Sequence, residues 1–260
     1  MFAALVASTA CHHDHQGAAP ATPLVEVAVA MPIAPGKTDA WQAALHEFMG
    51  ARYDEYEASR RRYGLTSQTT VLQRTPMGDF ALVHMTGADV RASFHAMSTS
   101  QDPWDVKWRE LTSSLHGVDF AKDGRVAPDV VPVFETSPPA ASVAPPFMLL
   151  APLAPGAADS LRALGRELDG PRHADYLRAR ATIGVRREAA FLETTAVGDA
   201  IVIYWEADDP KASLDAFAAS TDPFDVWLRG QMASLHPLAL DQLAGIAKRN
   251  ELVAQYPHAR

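Results

Sequence analysis

Four side chains at two paired positions carry the strongest chemical suggestion in this sequence: His84 with Tyr204, and Gln73 with Glu193. Histidine exchanges a proton near neutral pH, and a glutamate taken out of water has its pKa raised toward the same range. Brought into one apolar cleft, the four would supply the few convergent polar groups that a small-molecule site needs. His84 would then be the general acid or base, Tyr204 and Glu193 its catalytic companions, and Gln73 a ligand contact. The competing reading makes them strand-end residues touching water. A second set, Arg52 with Tyr56 and Arg172 with Tyr176, is spaced four apart, so each pair shares a face of an expected helix. These are ligand-binding candidates. Otherwise each arginine is half of a structural ion pair, with Glu26, Asp54 or a bound anion as acceptor for Arg52.

The pairing comes from an internal repeat. Pro32-Ile33-Ala34-Pro35-Gly36 returns 120 residues later as Pro152-Leu153-Ala154-Pro155-Gly156, and Gly78-Asp79 returns as Gly198-Asp199. Ser100-Gln101-Asp102-Pro103-Trp104-Asp105-Val106 returns as Ser220-Thr221-Asp222-Pro223-Phe224-Asp225-Val226, and Ser114-Leu115-His116 as Ser234-Leu235-His236. The register holds without a gap from residue 25 to 120, with about three in ten paired positions identical. Two copies of one supersecondary unit imply a pseudo-symmetric object.

Each copy reads the same way. An apolar strand (25–33, 147–153) is followed by a Pro-Gly turn and a long amphipathic helix. That helix carries Trp41, Leu45, Phe48 and Tyr56 on one stripe in the first copy, and Leu161, Leu164, Leu168 and Tyr176 in the second. Gly64 and Gly184 stand where a helix-terminating glycine belongs. Hairpins join strands 69–74 and 79–85, and 189–194 and 199–205. Short helices follow from Val90 and Pro210, then from Pro103 and Pro223, and last strands at 130–136 and 250–256. Residues 80–85 are apolar on both alternating faces, so the sheet must be covered on both sides. The domain reading is a signal-like tether (1–22), repeat one (23–137), a Pro-rich linker (138–146) and repeat two (147–260).

Most repeated residues read as scaffold. Asp102 and Asp222 are N-caps, with Pro103 and Pro223 at the first helical position and Asp105 and Asp225 in the first turn. His116 and His236 read as caps at helix C-termini. The basic run Arg60-Arg61-Arg62 reads as a solvated helix end. Positions where the copies disagree, His84/Tyr204 and Gln73/Glu193, are where a site is expected.

The order β-α-β-β-α-β, with an extra helix, is the split βαβ pattern. Together with the Ser-x-Asp-Pro-x-Asp segment, it resembles the dimeric α+β barrel superfamily over residues 24–258, including antibiotic-biosynthesis monooxygenase-like and stress-responsive barrel domains. The resemblance implies an α+β fold of two tandem ferredoxin-like repeats, their sheets packed face to face as an intramolecular barrel. It implies no one reaction, because the superfamily spans haem enzymes, cofactor-free oxygenases, cyclases and proteins of unknown role.

The net charge of −8 argues against nucleic acid as a partner. A single cysteine, Cys11, excludes an internal disulfide framework. The apolar run before it resembles a truncated lipoprotein signal, although it lacks a basic n-region. It leads to an expectation of a periplasmic, cell-envelope lipoprotein whose only membrane contact is a lipid on Cys11, the alternative being cytoplasmic. Cys11 to His15 has metal-ligand residue types but no preorganised geometry. His84, His95 and His116 are possible haem donors without a specific context, so no metal or cofactor is expected. Three functions remain: a binder of a small apolar or aromatic molecule; a cofactor-independent oxygenase, cyclase or isomerase using His84; and an interaction protein with a filled barrel.

Overall fold

A computed structural model describes residues 25–119, 129–137, 146–195 and 198–257. Cys11, its histidine neighbours, most of the Pro-rich linker and the tip of the second hairpin lie outside them. Repeat one runs β1 (Glu26–Pro32), α1 (Thr38–Met49), α2 (Tyr53–Arg62), β2 (Leu65–Thr75), β3 (Gly78–Gly87), α3 (Val90–Thr99), α4 (Pro103–His116) and β4 (Asp129–Glu135). Repeat two runs β5 (Pro146–Pro152), α5 (Ala158–Asp169), α6 (His173–Thr182), β6 (Val185–Thr195), β7 (Gly198–Ala207), α7 (Pro210–Ala219), α8 (Pro223–Leu235), α9 (Leu240–Ala247) and β8 (Glu251–Tyr256).

The strands form two four-stranded antiparallel sheets, ordered β1-β3-β2-β8 and β4-β6-β7-β5. The last strand of each repeat is therefore exchanged. β4 pairs with β6, setting Val130 opposite Glu193, and β8 pairs with β2, setting Gln68 opposite Tyr256. Each sheet needs a strand from the other repeat, which makes the two repeats one body. At both hairpins Gly78 and Gly198 take φ near +130° (131° and 132°), open to glycine and costly for other residues.

The long helix expected in each repeat is two helices. Gly50 and Gly170 end α1 and α5 in a backbone conformation outside the helical region (φ −113°, ψ −104° and φ −117°, ψ −109°). Arg52 and Arg172 then become the N-caps of α2 and α6; their carbonyls accept the Tyr56 and Tyr176 N–H groups, but the arginine side chains turn to surface glutamates. Trp41, Phe48, Leu161, Leu164 and Leu168 are buried as the stripe requires.

Both faces of each sheet are covered. Val27, Val29, Ala81, Val83 and Met85 face the helices of repeat one, as Leu149, Leu192, Ile201, Ile203 and Trp205 face those of repeat two. The opposite faces, with Ala28, Val71, Leu82, Met148, Phe191 and Val202, pack against each other. α5 comes closest to its sheet at Gly165, where a Cβ would lie 2.4 Å from the Val133 carbonyl oxygen.

Candidate functional site

His84 and Tyr204 meet across the two sheets as expected. Their rings stack at 3.7 Å between centroids and 14° between planes. They are repeat equivalents in direct contact, so the local two-fold relation of the repeats passes between them. Around them lies a buried charged chain. The His84 imidazole Nε2 is 2.5 Å from Glu26 Oε1, Arg187 Nη2 donates to Glu26 Oε2 at 2.5 Å, and Tyr204 Oη donates to Glu206 Oε1 at 3.0 Å. Burial pushes the Glu26 carboxyl up, but bonding and charge from His84 and Arg187 outweigh it and hold the group below its ordinary value. Burial, then the neighbouring Glu206, raises the Tyr204 phenol.

Gln73 and Glu193 do not join this pair. Each crosses to an edge strand of the opposite sheet. Gln73 donates from Nε2 to the Leu150 carbonyl (2.9 Å) and accepts the Leu150 N–H at Oε1 (3.0 Å). Glu193 Oε2 accepts the Ala30 N–H at 2.9 Å. Ala30 and Leu150 are also repeat equivalents, so both contacts tie a strand edge that would otherwise present unpaired backbone. An amide serves both partners of a peptide unit; a carboxylate serves only the donor. Burial pushes the Glu193 carboxyl up to about 7, partly opposed by the Ala30 N–H.

Between the sheets, where a cavity lined by all four is expected, His84 stacks on Tyr204 among buried Ala28, Leu82, Met148 and Val202. An apolar pocket of about 300 Å³ instead lies between the first sheet and helices α3 and α4. Val29, Met31, Val83 and Met85 form its floor, and Phe94, Met97 and Trp108 its helical wall. Its polar lining includes Arg60, Gln68, Arg109, His116 and Asp119, with Glu193 and Thr195 reaching in from the second sheet. Of the four residues first singled out, all on the inter-sheet faces, Glu193 alone also lines this pocket, which it reaches at the β1 edge.

The remaining site candidates, Arg52, Tyr56, Arg172 and Tyr176, do not line this pocket, although Tyr56 lines a small neighbouring cavity with Gln68 and Trp108. Arg52 is paired with Glu55 and Glu47 at the surface and lies over Trp104, not near Glu26 or Asp54. Arg172 pairs with Glu167 over the Trp227 ring. Tyr176 donates to Glu188 Oε2 at 3.0 Å, and Tyr56 is buried beside Phe48 and Trp104. Asp102 and Asp222 cap α4 and α8 as expected. His116 and His236 do not cap their own helices. Each ring Nδ1–H donates to a strand-end carbonyl 2.8 Å away, Pro32 or Pro152, and burial lowers both imidazole pKa values. His95 is exposed. Among the described residues no group of three or more His, Cys, Asp or Glu could hold a metal ion.

The basic run is the main miss. Arg61 and Arg62 are exposed or half-exposed, but Arg60 is fully buried (0% exposed) and lines the pocket. Repeat comparison could have found it. Arg60 and Arg180 match, while Gln68 stands where repeat two has Glu188.

No family model and no curated protein matches the chain. Two solved structures are similar to it. A candidate monooxygenase of Fusobacterium nucleatum subsp. nucleatum is 10% identical with a TM-score of 0.44, the match covering 81% of this chain and 86% of that one. An anthrone oxidase-like protein is 14% identical with a TM-score of 0.47, covering 89% of this chain and 92% of that one. Strand order, strand exchange and the facing of the two sheets give this chain an α+β fold of two tandem ferredoxin-like repeats packed sheet to sheet.

Proposed function

We propose that this chain binds a small, largely apolar, flat molecule in the pocket of repeat one. One observation carries the reading: an apolar pocket of about 300 Å³ with a few polar groups lies in one repeat, whereas the equivalent positions of the other are core. Its size is at the lower end of the small-molecule range. Met85 on its floor corresponds to Trp205 in repeat two. Calorimetric titration with 2-naphthamide should show saturable binding that Met85→Trp weakens by at least about tenfold, by filling the space. Equal affinity in the variant would place the probe elsewhere and end the proposal.

Glu193 favours a second reading as an enzyme. A carboxyl that titrates at about 7 in an apolar pocket suits a proton acceptor and donor at neutral pH. It would take a proton from an acidic carbon of the bound molecule and return it to another, an isomerisation that needs no redox partner. His84, on the far face of the sheet, takes no part. Solvent-deuterium exchange into 2-tetralone should be catalysed by the native chain and lost in Glu193→Gln; exchange unchanged in the variant would remove Glu193 from the reaction.

A further inference from the structure

Arg60 is fully buried, and its side-chain hydrogen bonds among the described residues go to neutral partners: Gln68 Oε1 at 3.0 Å from Nη1 and Ser59 Oγ at 3.2 Å from Nη2. Its Nε–H has no hydrogen-bond partner among the described residues. The guanidinium carbon lies 4.6 Å from the centroids of Tyr56 and Trp108, and 5.1 Å from that of Tyr63. These rings attract a cation but do not neutralise it.

Repeat two shows what neutralisation of the same arginine looks like. Arg180 donates to Asp225 Oδ1 at 2.7 Å and lies 3.8 Å from Glu188 Oε2. In repeat one both counter-ions are gone. Gln68 replaces the glutamate, and Asp105, the equivalent of Asp225, is turned to Arg62 (2.9 and 3.2 Å) and Ser100 (2.6 Å). Among the described residues no carboxylate lies within ion-pair distance of Arg60. A guanidinium out of water without a counter-ion is costly. Arg60 lines a largely apolar pocket, whereas Arg180 lies 4.6 Å from the Phe217 ring and lines a more polar pocket beside Arg186 and Asp208.

We infer that the molecule taken by this pocket is an aromatic carboxylate, whose anionic group pairs with the Arg60 guanidinium while its ring system lies between Met85 and Trp108. The inference rests on the pocket reading above and adds the charge of the ligand to it. A carboxylate matches the planar guanidinium fork, with Nε–H as one donor.

The test compares 2-naphthoate with 2-naphthamide, its neutral counterpart of the same shape, by calorimetric titration of the full chain at neutral pH. The native protein should prefer the naphthoate by about tenfold or more, the scale of one charge-assisted hydrogen bond. Gln68→Glu, which installs the counter-ion of repeat two, should bring the ratio of the two affinities to near one. Arg60→Met should do the same, with circular dichroism to verify its fold. Equal affinity of the native chain for both probes overturns the anionic ligand and leaves the apolar pocket standing. Binding of neither probe overturns both. A naphthoate preference that survives Gln68→Glu removes Arg60 as its source.

Discussion

Repeat two pairs its buried arginine with acids and fills the space between its sheet and helices; repeat one does neither. Arg180 is held by Asp225 and Glu188, and the surrounding space is closed by Trp205, Leu214, Leu228 and Leu243, all buried. At the matching positions repeat one has Met85, Phe94 and Trp108 around a cavity, with Gln68 in place of the glutamate. Repeat two also places α9 there, with Leu243, and the positions 120–127 that match it in repeat one lie outside the described residues. The difference teaches that duplication let one copy keep the stabilising version of the arginine cluster while the other opened it. A buried ion pair is not needed to build the unit, because repeat one folds around Arg60 without one.

The sharpest way to break this comparison is to remove the counter-ion in repeat two. Asp225→Ala leaves the Arg180 guanidinium buried with only the more distant Glu188, and should cost roughly 3–5 kcal/mol in chemical denaturation. Gln68→Ala in repeat one removes a neutral acceptor and should cost only about 1 kcal/mol. Equal costs would mean that Arg180 gains nothing from its acids, and the two clusters would be energetically alike.

Glu193 and Gln73 give the next largest effect. Burial raises the Glu193 carboxyl to about 7 in the folded chain, above its ordinary 4.5. The folded state therefore binds this proton more tightly than the unfolded chain does, and stability falls as pH rises through that window. The penalty is absent below about pH 4 and complete above about pH 8, where it reaches about 3 kcal/mol. Glu193→Gln, which copies Gln73, should leave stability unchanged at the acid end and raise it by that amount at the alkaline end. Parallel stability curves for variant and native chain would contradict a desolvated carboxyl.

His84→Ala separates the two faces of the first sheet. It removes the stack on Tyr204 and leaves the buried Glu26 carboxylate with Arg187 alone. A loss of about 2 kcal/mol is expected. Affinity for 2-naphthamide should stay within about twofold, because His84 does not line the pocket. A large loss of affinity at unchanged stability would bring His84 back into the site.

The elements were legible because caps and turns are local. Asp102-Pro103 and Asp222-Pro223 announce helix starts in four residues, and Gly78 and Gly198 announce hairpins. The two-sided apolar pattern of 80–85 correctly required sheet-on-sheet packing. Strand exchange was not legible, because β4 has the same alternation whether it pairs with β2 or β6, and nothing within 129–135 names its partner. The break between α1 and α2 was missed because Gly50 sits within an otherwise unbroken apolar stripe. The site was half legible. Disagreement between the copies pointed to Glu193, but also to His84 and Gln73, which do not line the pocket. Whether a strand residue faces helices or the opposite sheet depends on which face stays open, and alternation alone does not say. Arg60 hid in a run of three arginines, where position on the helix, not residue type, decides burial.

The smallest effect tests the symmetry itself. Asp102 accepts the Trp104 N–H at 2.9 Å, and Asp222 accepts the Phe224 N–H at 2.8 Å. Both also face an arginine, Arg62 at 3.2 Å and Arg178 at 2.6 Å. These are partly exposed pairs, each worth little beyond the cap. Asp102→Ala and Asp222→Ala should therefore each cost about 1 kcal/mol and differ by less than about 0.5 kcal/mol in denaturant midpoints at equal slope. Helix α4 forms a wall of the pocket and α8 is packed into a full core. If opening the pocket had loosened the whole first repeat, its cap would matter less, since a frayed helix loses little when uncapped. Equal costs would show that the asymmetry is confined to side chains around Arg60, leaving two equally rigid frames, one of them bordering an apolar pocket with Arg60 in its wall.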